Sequence, residues 1–300
     1  RGIEMKRVIR FGSRKSALAV AQTRILMDAV AAAHPELEVE LVTMTTTGDV
    51  NMKPFSEASD KFGIKGLFTQ ELEEALKSGE IDVAVHSLKD VPMCANDELP
   101  IVAYSARGDA RDALVLPEGA AEISDALPLG CSSARRRLQL AKLFPGMRVE
   151  PVRGNVNTRL RKLDEGQFSA LVLAAAGLQR VGLGERISRY FTTDEMIPAP
   201  GQGILACQGR AGESYEYLDA VRCEAAACCA RAERGFSAEL GGGCTAPVGA
   251  YAEIIDGELT LHGFYADEAE GIYREGRACG RPENAEELAR GLARRLREGK

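Results

Sequence analysis

A chain of 300 residues exceeds one typical domain and predicts two or three, each large enough to bury its own core. Hydrophobic content of 45% and charged content of 27% are ordinary for a globular protein, no apolar run reaches the length of a membrane-spanning helix, and no basic-then-apolar segment opens the chain as a signal. A net charge of −6 with only 5% aromatic residues argues against a nucleic-acid binder, which needs a basic face and rings for stacking.

Arg1 to Glu4 precede Met5 and read as a cloning remnant or a processed end. Val8 to Phe11 predicts a first strand, and Gly12-Ser13-Arg14-Lys15-Ser16 follows it as a loop. Ser16 suits the N-cap of a helix written by Leu18, Ile25, Leu26 and Val30 at helical spacing. Strand, hydroxyl- and cation-bearing loop and helix N-terminus together make a general anion-binding arrangement. Leu37 to Thr47 predicts a second strand. Residues 51–66 lack periodicity and carry Lys61, Gly63, Lys65 and Gly66, so a mobile loop with high B-factors, able to cover a site, is expected there. Phe68 to Lys77 reads as an amphipathic helix, and Ile81 to Val85 as a buried strand that runs into His86-Ser87-Leu88-Lys89-Asp90-Val91-Pro92. Ligands of open α/β sheets sit beyond the carboxyl ends of strands, where Asp90 falls; a turn or cap residue is the other reading. His86 is expected to be a structural hydrogen-bonding residue.

After a strand from Ile101 to Ser105 the pattern restarts. Ala113 to Leu116, Val149 to Val152 and Ala170 to Ala174 predict strands; Ala134 to Phe144 predicts a helix behind Cys131-Ser132-Ser133, and Arg153-Gly154-Asn155-Val156 opens another. Two consecutive α/β units thus place cationic loops at strand ends, expected to face one another across a cleft. Ile197 to Gly203 reads as a linker by its Pro and Gly content, with a strand from Ile204 to Cys207 returning to the first unit. The last third differs: a helix from Glu224 to Phe236, strands Val248–Ile254, Leu259–Ala266 and Ile272–Ala278 joined by short turns such as Asp256-Gly257, and a closing helix Ala285–Leu296 predict an antiparallel sheet with helices packed on it.

Charge is not spread evenly. Between Cys131 and Lys162 nine cations meet Glu150 alone, a local +8 that leaves −14 for the rest of the chain. A basic island on an acidic protein marks either a solvated face or an anionic ligand. The eight cysteines include no C-x-x-C pair and the three histidines no H-E-x-x-H, so neither a zinc site nor another metal centre is expected; free thiols suit a cytosolic or organelle-matrix protein. In Gly241-Gly242-Gly243-Cys244 three glycines strip the side chains from beside one thiol. Cys244 reads either as a small buried hydrophobe in a turn or as a thiol that a bulky group can approach.

Ser13-Arg14-Lys15-Ser16, Lys65-Gly66-Leu67-Phe68, Ala84 to Pro92, Ser132 to Arg136, Arg153-Gly154-Asn155, Pro200-Gly201-Gln202-Gly203 and Gly242-Gly243-Cys244 together resemble the porphobilinogen deaminase (hydroxymethylbilane synthase) family over nearly the whole chain. The resemblance implies an α/β and α+β protein: two lobes like those of a type II periplasmic binding protein, residues 1–105 with 203–221 and residues 106–202, and an α+β domain with an antiparallel sheet at 222–300. It implies a dipyrromethane cofactor held by Cys244 through a thioether. The implied reaction joins four porphobilinogen molecules, each losing ammonia to give an azafulvene attacked by the growing chain, until hydrolysis releases the linear tetrapyrrole.

By the same resemblance Asp90 is the catalytic carboxylate, and Lys89, Ser133, Arg135, Arg136, Asp90 and Gly154 bind the cofactor. Arg14, Ser16, Lys65, Phe68, Arg153, Arg159, Arg180 and Gln202 are the substrate-binding set, Arg137, Arg148, Arg161 and Lys162 are surface charges, and a monomer is expected. The partners implied are porphobilinogen and polypyrrole intermediates, with no nucleic acid or membrane. Each pyrrole brings an acetate and a propionate, which arginine forks bind bidentately. One departure is Cys131, where the family usually has Thr before the Ser-Ser pair; losing that hydroxyl either weakens cofactor binding slightly or is compensated by a neighbouring N–H. The alternative of another class is a two-lobed anion receptor without chemistry, which would need neither Asp90 nor a Gly-Gly-Gly-Cys loop.

Overall fold

Apolar runs of four or five residues set the frame of this protein, whose computed structural model describes residues 7–46, 69–94, 96–241 and 247–299. The predicted loop at 51–66 and the Cys244 segment lie outside the described residues. The chain opens with β1 (Arg7–Arg14), which turns Ile9 and Phe11 into the core, and α1 (Ala17–Ala33), whose first turn is capped by Ser16 Oγ accepting from the Ala19 N–H at 3.3 Å. β2 (Leu37–Met44), α2 (Gln70–Ser78), β3 (Val83–Ser87) and β4 (Ile101–Tyr104) follow. The middle of the chain supplies β5 (Asp112–Val115), β6 (Leu129–Gly130), α3 (Ala134–Leu143), β7 (Val149–Glu150), α4 (Val156–Asp164), β8 (Ala170–Ala174), α5 (Ala175–Arg180) and β9 (Arg189–Tyr190). After β10 (Leu205–Gln208) come α6 (Glu224–Glu239), β11 (Val248–Ile255), β12 (Glu258–Asp267), β13 (Ile272–Gly280) and α7 (Ala285–Glu298).

Two five-stranded sheets share one plan. The first runs β2-β1-β3-β10-β4, with β1 parallel to β2 and β3 and with β10 antiparallel to β3 and β4. The second runs β7-β6-β8-β5-β9, with β6 parallel to β7 and β8 and with β5 antiparallel to β8 and β9. In each, the antiparallel strand is the one the chain adds on arriving from the other half, so these are two α/β lobes of the periplasmic-binding-protein kind. Gly12 illustrates the close packing of the first: a Cβ there would lie 2.3 Å from Ile81 Cδ1, so only glycine lets the Ile81 side chain seat against β1.

The last third is an α+β layer with an antiparallel sheet, β11-β12-β13. Its β11–β12 turn holds Asp256 at φ 50° and Gly257 at φ 80°, the paired positive values of a two-residue hairpin loop. α6 and α7 cover one face through Cys229, Ala232, Phe236, Ala289 and Leu292. On the other face Phe264 and Ala266 pack with Ile197.

The chain divides into two compact units, Arg1–Arg107 with Ile204–Ala227, and Gly108–Gly203 with Cys228–Lys300. The α+β layer therefore belongs to the same unit as the second lobe. Ion pairs between Arg137 and Glu268 at 2.6 Å and between Arg277 and Asp194 at 2.5 Å fasten the two, and Lys142 Nζ stands 3.1 Å from the Tyr273 ring centroid.

Several sequence expectations change: Gly12, Ser13 and Arg14 pair with Val42, Thr43 and Met44 of β2 and extend β1 rather than forming the loop after it. β3 extends to Ser87 because Ala206 and Leu205 of β10 pair with His86 and Ser87, placing both residues in the sheet rather than in the loop after it. β7 stops at Glu150, since Pro151 has no N–H to continue a ladder. The Ile197–Gly203 stretch is no loose linker: Ile197 and Gln202 are 0% and 1% exposed. Polar side chains serve its backbone, with Gln139 accepting from Ile197 N–H at 2.7 Å and Glu233 from Gly201 N–H at 2.6 Å.

Candidate active site

In the first lobe, β1 ends in Ser13, fully enclosed and donating to the Arg14 carbonyl at 2.9 Å, and in a half-buried Arg14. Ser16 Oγ caps α1 as an acceptor, which leaves its O–H as a donor. At the end of β3 the chain makes one 3₁₀ turn, Leu88–Asp90. Leu88 is buried and its N–H donates to Ile204 O at 3.0 Å, while Val91 N–H closes the turn on Leu88 O at 3.1 Å. Lys89 and Asp90 are thereby held half-exposed on a turn pinned at both ends.

Directly behind this turn, His86 is buried with Nε2 3.0 Å from Gln208 Oε1. The Gln208 amide nitrogen donates to Glu73 Oε1 and Leu99 O, both at 2.9 Å. Its oxygen is therefore the group left for His86, and the imidazole donates from Nε2. Burial pushes the His86 pKa down to about 4, against the pull of Gln208 and Asp90 and with that of Arg14. The imidazole is neutral at ordinary pH, and Arg14 and Asp90 share its neighbourhood.

In the second lobe the sequence-predicted residues Arg135, Arg136 and Gln202 meet on a residue that sequence reasoning missed, Asp112. Its carboxylate is 0% exposed and accepts from Arg135 Nη1 at 2.7 Å, from Arg136 Nε at 2.9 Å and Nη2 at 2.7 Å, and from Gln202 Nε2 at 3.0 Å. Burial alone would raise the Asp112 pKa; Arg135 and Arg136 outweigh it and hold the group well below the usual carboxylate range. The signal for it was an acid heading an otherwise apolar strand, Asp112-Ala113-Leu114-Val115. Two guanidiniums against one carboxylate leave the cluster with a net positive charge. Arg135 also donates from Nη1 to Ile197 O at 2.7 Å, and Arg136 from Nη1 to Val172 O at 3.2 Å. Gln202, expected to touch substrate, is internal: its amide also donates to Ala110 O at 2.7 Å.

The loops around this cluster present helix N-termini without acidic residues in the first turn. Ser133 caps α3 by accepting from Arg136 N–H at 3.4 Å, and Asn155 caps α4 by accepting from Thr158 N–H at 2.9 Å. Cys131 is buried, and its thiol lies 3.7 Å from Ser133 O; Ser132 Oγ bonds Val152 O at 2.6 Å. Gly154 adopts φ +112°, a conformation reserved for glycine, and its carbonyl accepts from Arg159 Nε at 2.8 Å. Arg153 is half-buried with its carbonyl accepting from Lys162 Nζ at 3.2 Å. Arg180 donates to Gly203 O at 2.6 Å, and burial lowers its pKa without discharging it. Lys65, Phe68 and Cys244 lie outside the described residues.

Such a set suits an anion with several carboxylates: buried cations with a surplus of charge, two helix N-termini and bidentate forks. Among the described residues no group of three His, Cys, Asp or Glu side chains could hold a metal ion, and no helix is long and apolar enough to cross a membrane.

Comparison with known proteins agrees with that chemistry. Residues 9–216 match the family model described as "Porphobilinogen deaminase, dipyromethane cofactor binding domain", and residues 227–298 the model of the "Porphobilinogen deaminase, C-terminal domain". The porphobilinogen deaminase of Ruminiclostridium cellulolyticum is 49% identical over 96% of this chain and 97% of its own. That of Nitrosomonas europaea is 41% identical over 95% and 93%. Among solved structures, the periplasmic aliphatic sulphonate binding protein of Escherichia coli covers 69% of this chain and 62% of its own, at 13% identity and a TM-score of 0.38. With its cofactor-binding and C-terminal regions both matched in order along the chain, this protein belongs to the porphobilinogen deaminase family.

Proposed function

We propose that this chain deaminates porphobilinogen and joins four molecules head to tail into hydroxymethylbilane, on a dipyrromethane held through a thioether to Cys244. The observation that carries the reading is the match of both family regions over a site whose buried arginines outnumber their carboxylate. A solute receptor without chemistry is not favoured by those matches. We read the protein as a cytoplasmic monomer of three domains, the lobes 1–105 with 203–221 and 106–202 and the α+β domain 222–300.

The residues present fit a polycarboxylate cofactor: Lys89, Ser133, Arg135, Arg136 and the Gly154 N–H would hold it. When bound, the dipyrromethane supplies the nucleophilic pyrrole carbon from which the chain grows. Arg14, Ser16, Arg153, Arg159 and Arg180, with Lys65, hold the acetates and propionates of the incoming substrate and orient it, and Phe68 lends it an apolar contact, while Gln202 acts from the interior through Asp112. Asp90 accepts pyrrole N–H bonds, steadies positive charge on the ring and moves protons. A carboxylate at ~4 Å from a cation in an effective dielectric of about 20 contributes about 4 kcal/mol, or roughly a thousandfold in rate when felt only in the transition state.

Intact-mass measurement tests the reading. Protein supplied with porphobilinogen should be heavier than the bare chain by two pyrrole units, and Cys244→Ser should carry none; an unmodified wild-type chain would sink the proposal. Asp90→Asn should keep the added mass while losing turnover, and near-normal turnover would remove Asp90 from the chemistry.

A further inference from the structure

The second lobe encloses a fully buried carboxylate, Asp112, to which the scheme above gives no role of its own. Asp112 opens β5 and is 0% exposed, yet it is enclosed by cations rather than by solvent. Arg135 reaches it from the first turn of α3 through one nitrogen, Nη1 at 2.7 Å; Arg136, the next residue, reaches it through Nε at 2.9 Å and Nη2 at 2.7 Å. Gln202 donates to the same oxygen as Arg136 Nε, at 3.0 Å.

A buried carboxylate without partners would be costly, and so would two adjacent buried guanidiniums. Together they are stable and carry one surplus positive charge. Neither arginine needs to search for a rotamer when an anion arrives, because its plane is already fixed, and fixed planes lose less entropy per bond formed. The side-chain hydrogen bonds of Arg135 to described residues all leave from Nη1, toward Asp112 and Ile197 O. A guanidinium held by one nitrogen keeps its opposite edge as a fork for a carboxylate.

We propose that Asp112 is a positioning residue of the anion site, which fixes the planes of Arg135 and Arg136 and leaves them one net charge with which to bind a pyrrole carboxylate. The proposal rests on the reading that these arginines bind such carboxylates, and the test separates the two. Asp112→Asn keeps the shape and removes the charge. Steady-state kinetics with porphobilinogen, intact mass and thermal melting are compared for Asp112→Asn, Arg135→Gln and the double variant.

Asp112→Asn should lower the fraction of chains that acquire the dipyrromethane at limiting porphobilinogen by about tenfold, while the KM and kcat of the loaded fraction stay within about threefold of wild type, the split expected when the hold on the cofactor and not the chemistry is lost. The double variant should melt above Asp112→Asn, because a single guanidinium no longer faces a second one uncompensated. Its loaded fraction should lie within about threefold of that of Arg135→Gln alone, since a residue that acts through another adds no further loss once the other is gone. A folded Asp112→Asn protein with wild-type pyrrole loading overturns the proposal, as do losses that multiply in the double variant. Where Asp112→Asn fails to fold, the double variant carries the comparison, and a double variant that also fails to fold assigns Asp112 to the fold alone. Arg135→Gln with unchanged pyrrole loading would instead overturn the carboxylate-binding reading beneath the proposal.

Discussion

At His86 the hydrogen-bond inventory decides chemistry. Gln208 uses its amide nitrogen on Glu73 and Leu99, so the neutral imidazole must donate from Nε2, and protonation at Nδ1 would place a charge in a buried site. With its pKa lowered from 6.5 to about 4, the folded protein binds this proton less readily than the unfolded chain does. Folding stability therefore holds above pH 6.5 and is lost as pH falls from there toward 4. Integration over pH 7 to pH 5 gives about 2 kcal/mol from this residue. Urea denaturation at the two pH values should show wild type losing about 2 kcal/mol more than His86→Gln, and equal losses would show that burial does not govern this group. Asp112 belongs to the same scale: an acid before Ala-Leu-Val reads as the edge of a loop, and nothing local says that arginines 23 and 24 positions later close on it. His86 was legible as structural because a lone histidine in an apolar run needs one partner; the partner itself, 122 positions away, was not.

Elements were legible where apolar pattern and length agreed, as in β8 and α7, and illegible where pairing alone creates them. β6 and β9 have two residues each and exist only through their neighbours in the second sheet. The 197–203 stretch reads as a linker because Pro and Gly cannot advertise burial; what buries it is side-chain hydrogen bonding from Gln139 and Glu233. The start of α4 was legible at Arg153-Gly154-Asn155-Val156, but its cap and its strain were not. Gly154 sits at φ +112°, and a Cβ there would lie 2.7 Å from Thr158 Cγ2. Gly166, just past the same helix at φ +81°, has open space where its Cβ would stand. Gly154→Ala should cost about 1–3 kcal/mol more than Gly166→Ala, by strain and by displacement of the Thr158 side chain. Equal unfolding free energies for the two variants in urea would show that this loop relaxes freely and that Gly154 is present for another reason.

Over the whole molecule, the charge division seen in the sequence finds a physical basis in the second unit: part of the +8 between Cys131 and Lys162 is drawn inward onto Asp112, and Arg137 is spent on Glu268 of the α+β layer. The change of pattern in the last third was legible, but the union of that segment with the second lobe was not, because its contacts come from single residues far apart in the chain. Ile197 lies in an apolar cluster with Phe264 and Ala266, with Leu138 packed on it; Pro198 O accepts from Ala250 N–H at 3.0 Å; and Glu233 joins Gly201 N–H at 2.6 Å to Ala252 N–H at 2.8 Å. Opening β11–β13 away from the lobe would expose that cluster and strand a buried carboxylate together with two backbone donors, each lost bond costing about 1–3 kcal/mol. Separate opening is thus disfavoured relative to unfolding the unit together. Native-state hydrogen exchange in rising urea should bring the amides of β11, β12, β5 and β8 onto one isotherm, with opening free energies within about 1 kcal/mol of each other. Glu233→Leu should split that isotherm, lowering the opening free energy of β11 and β12 ahead of β5 and β8. If the sheet already opens separately in the wild type, side-chain fastening through Glu233 and Ile197 is too weak to make one cooperative body of the two parts.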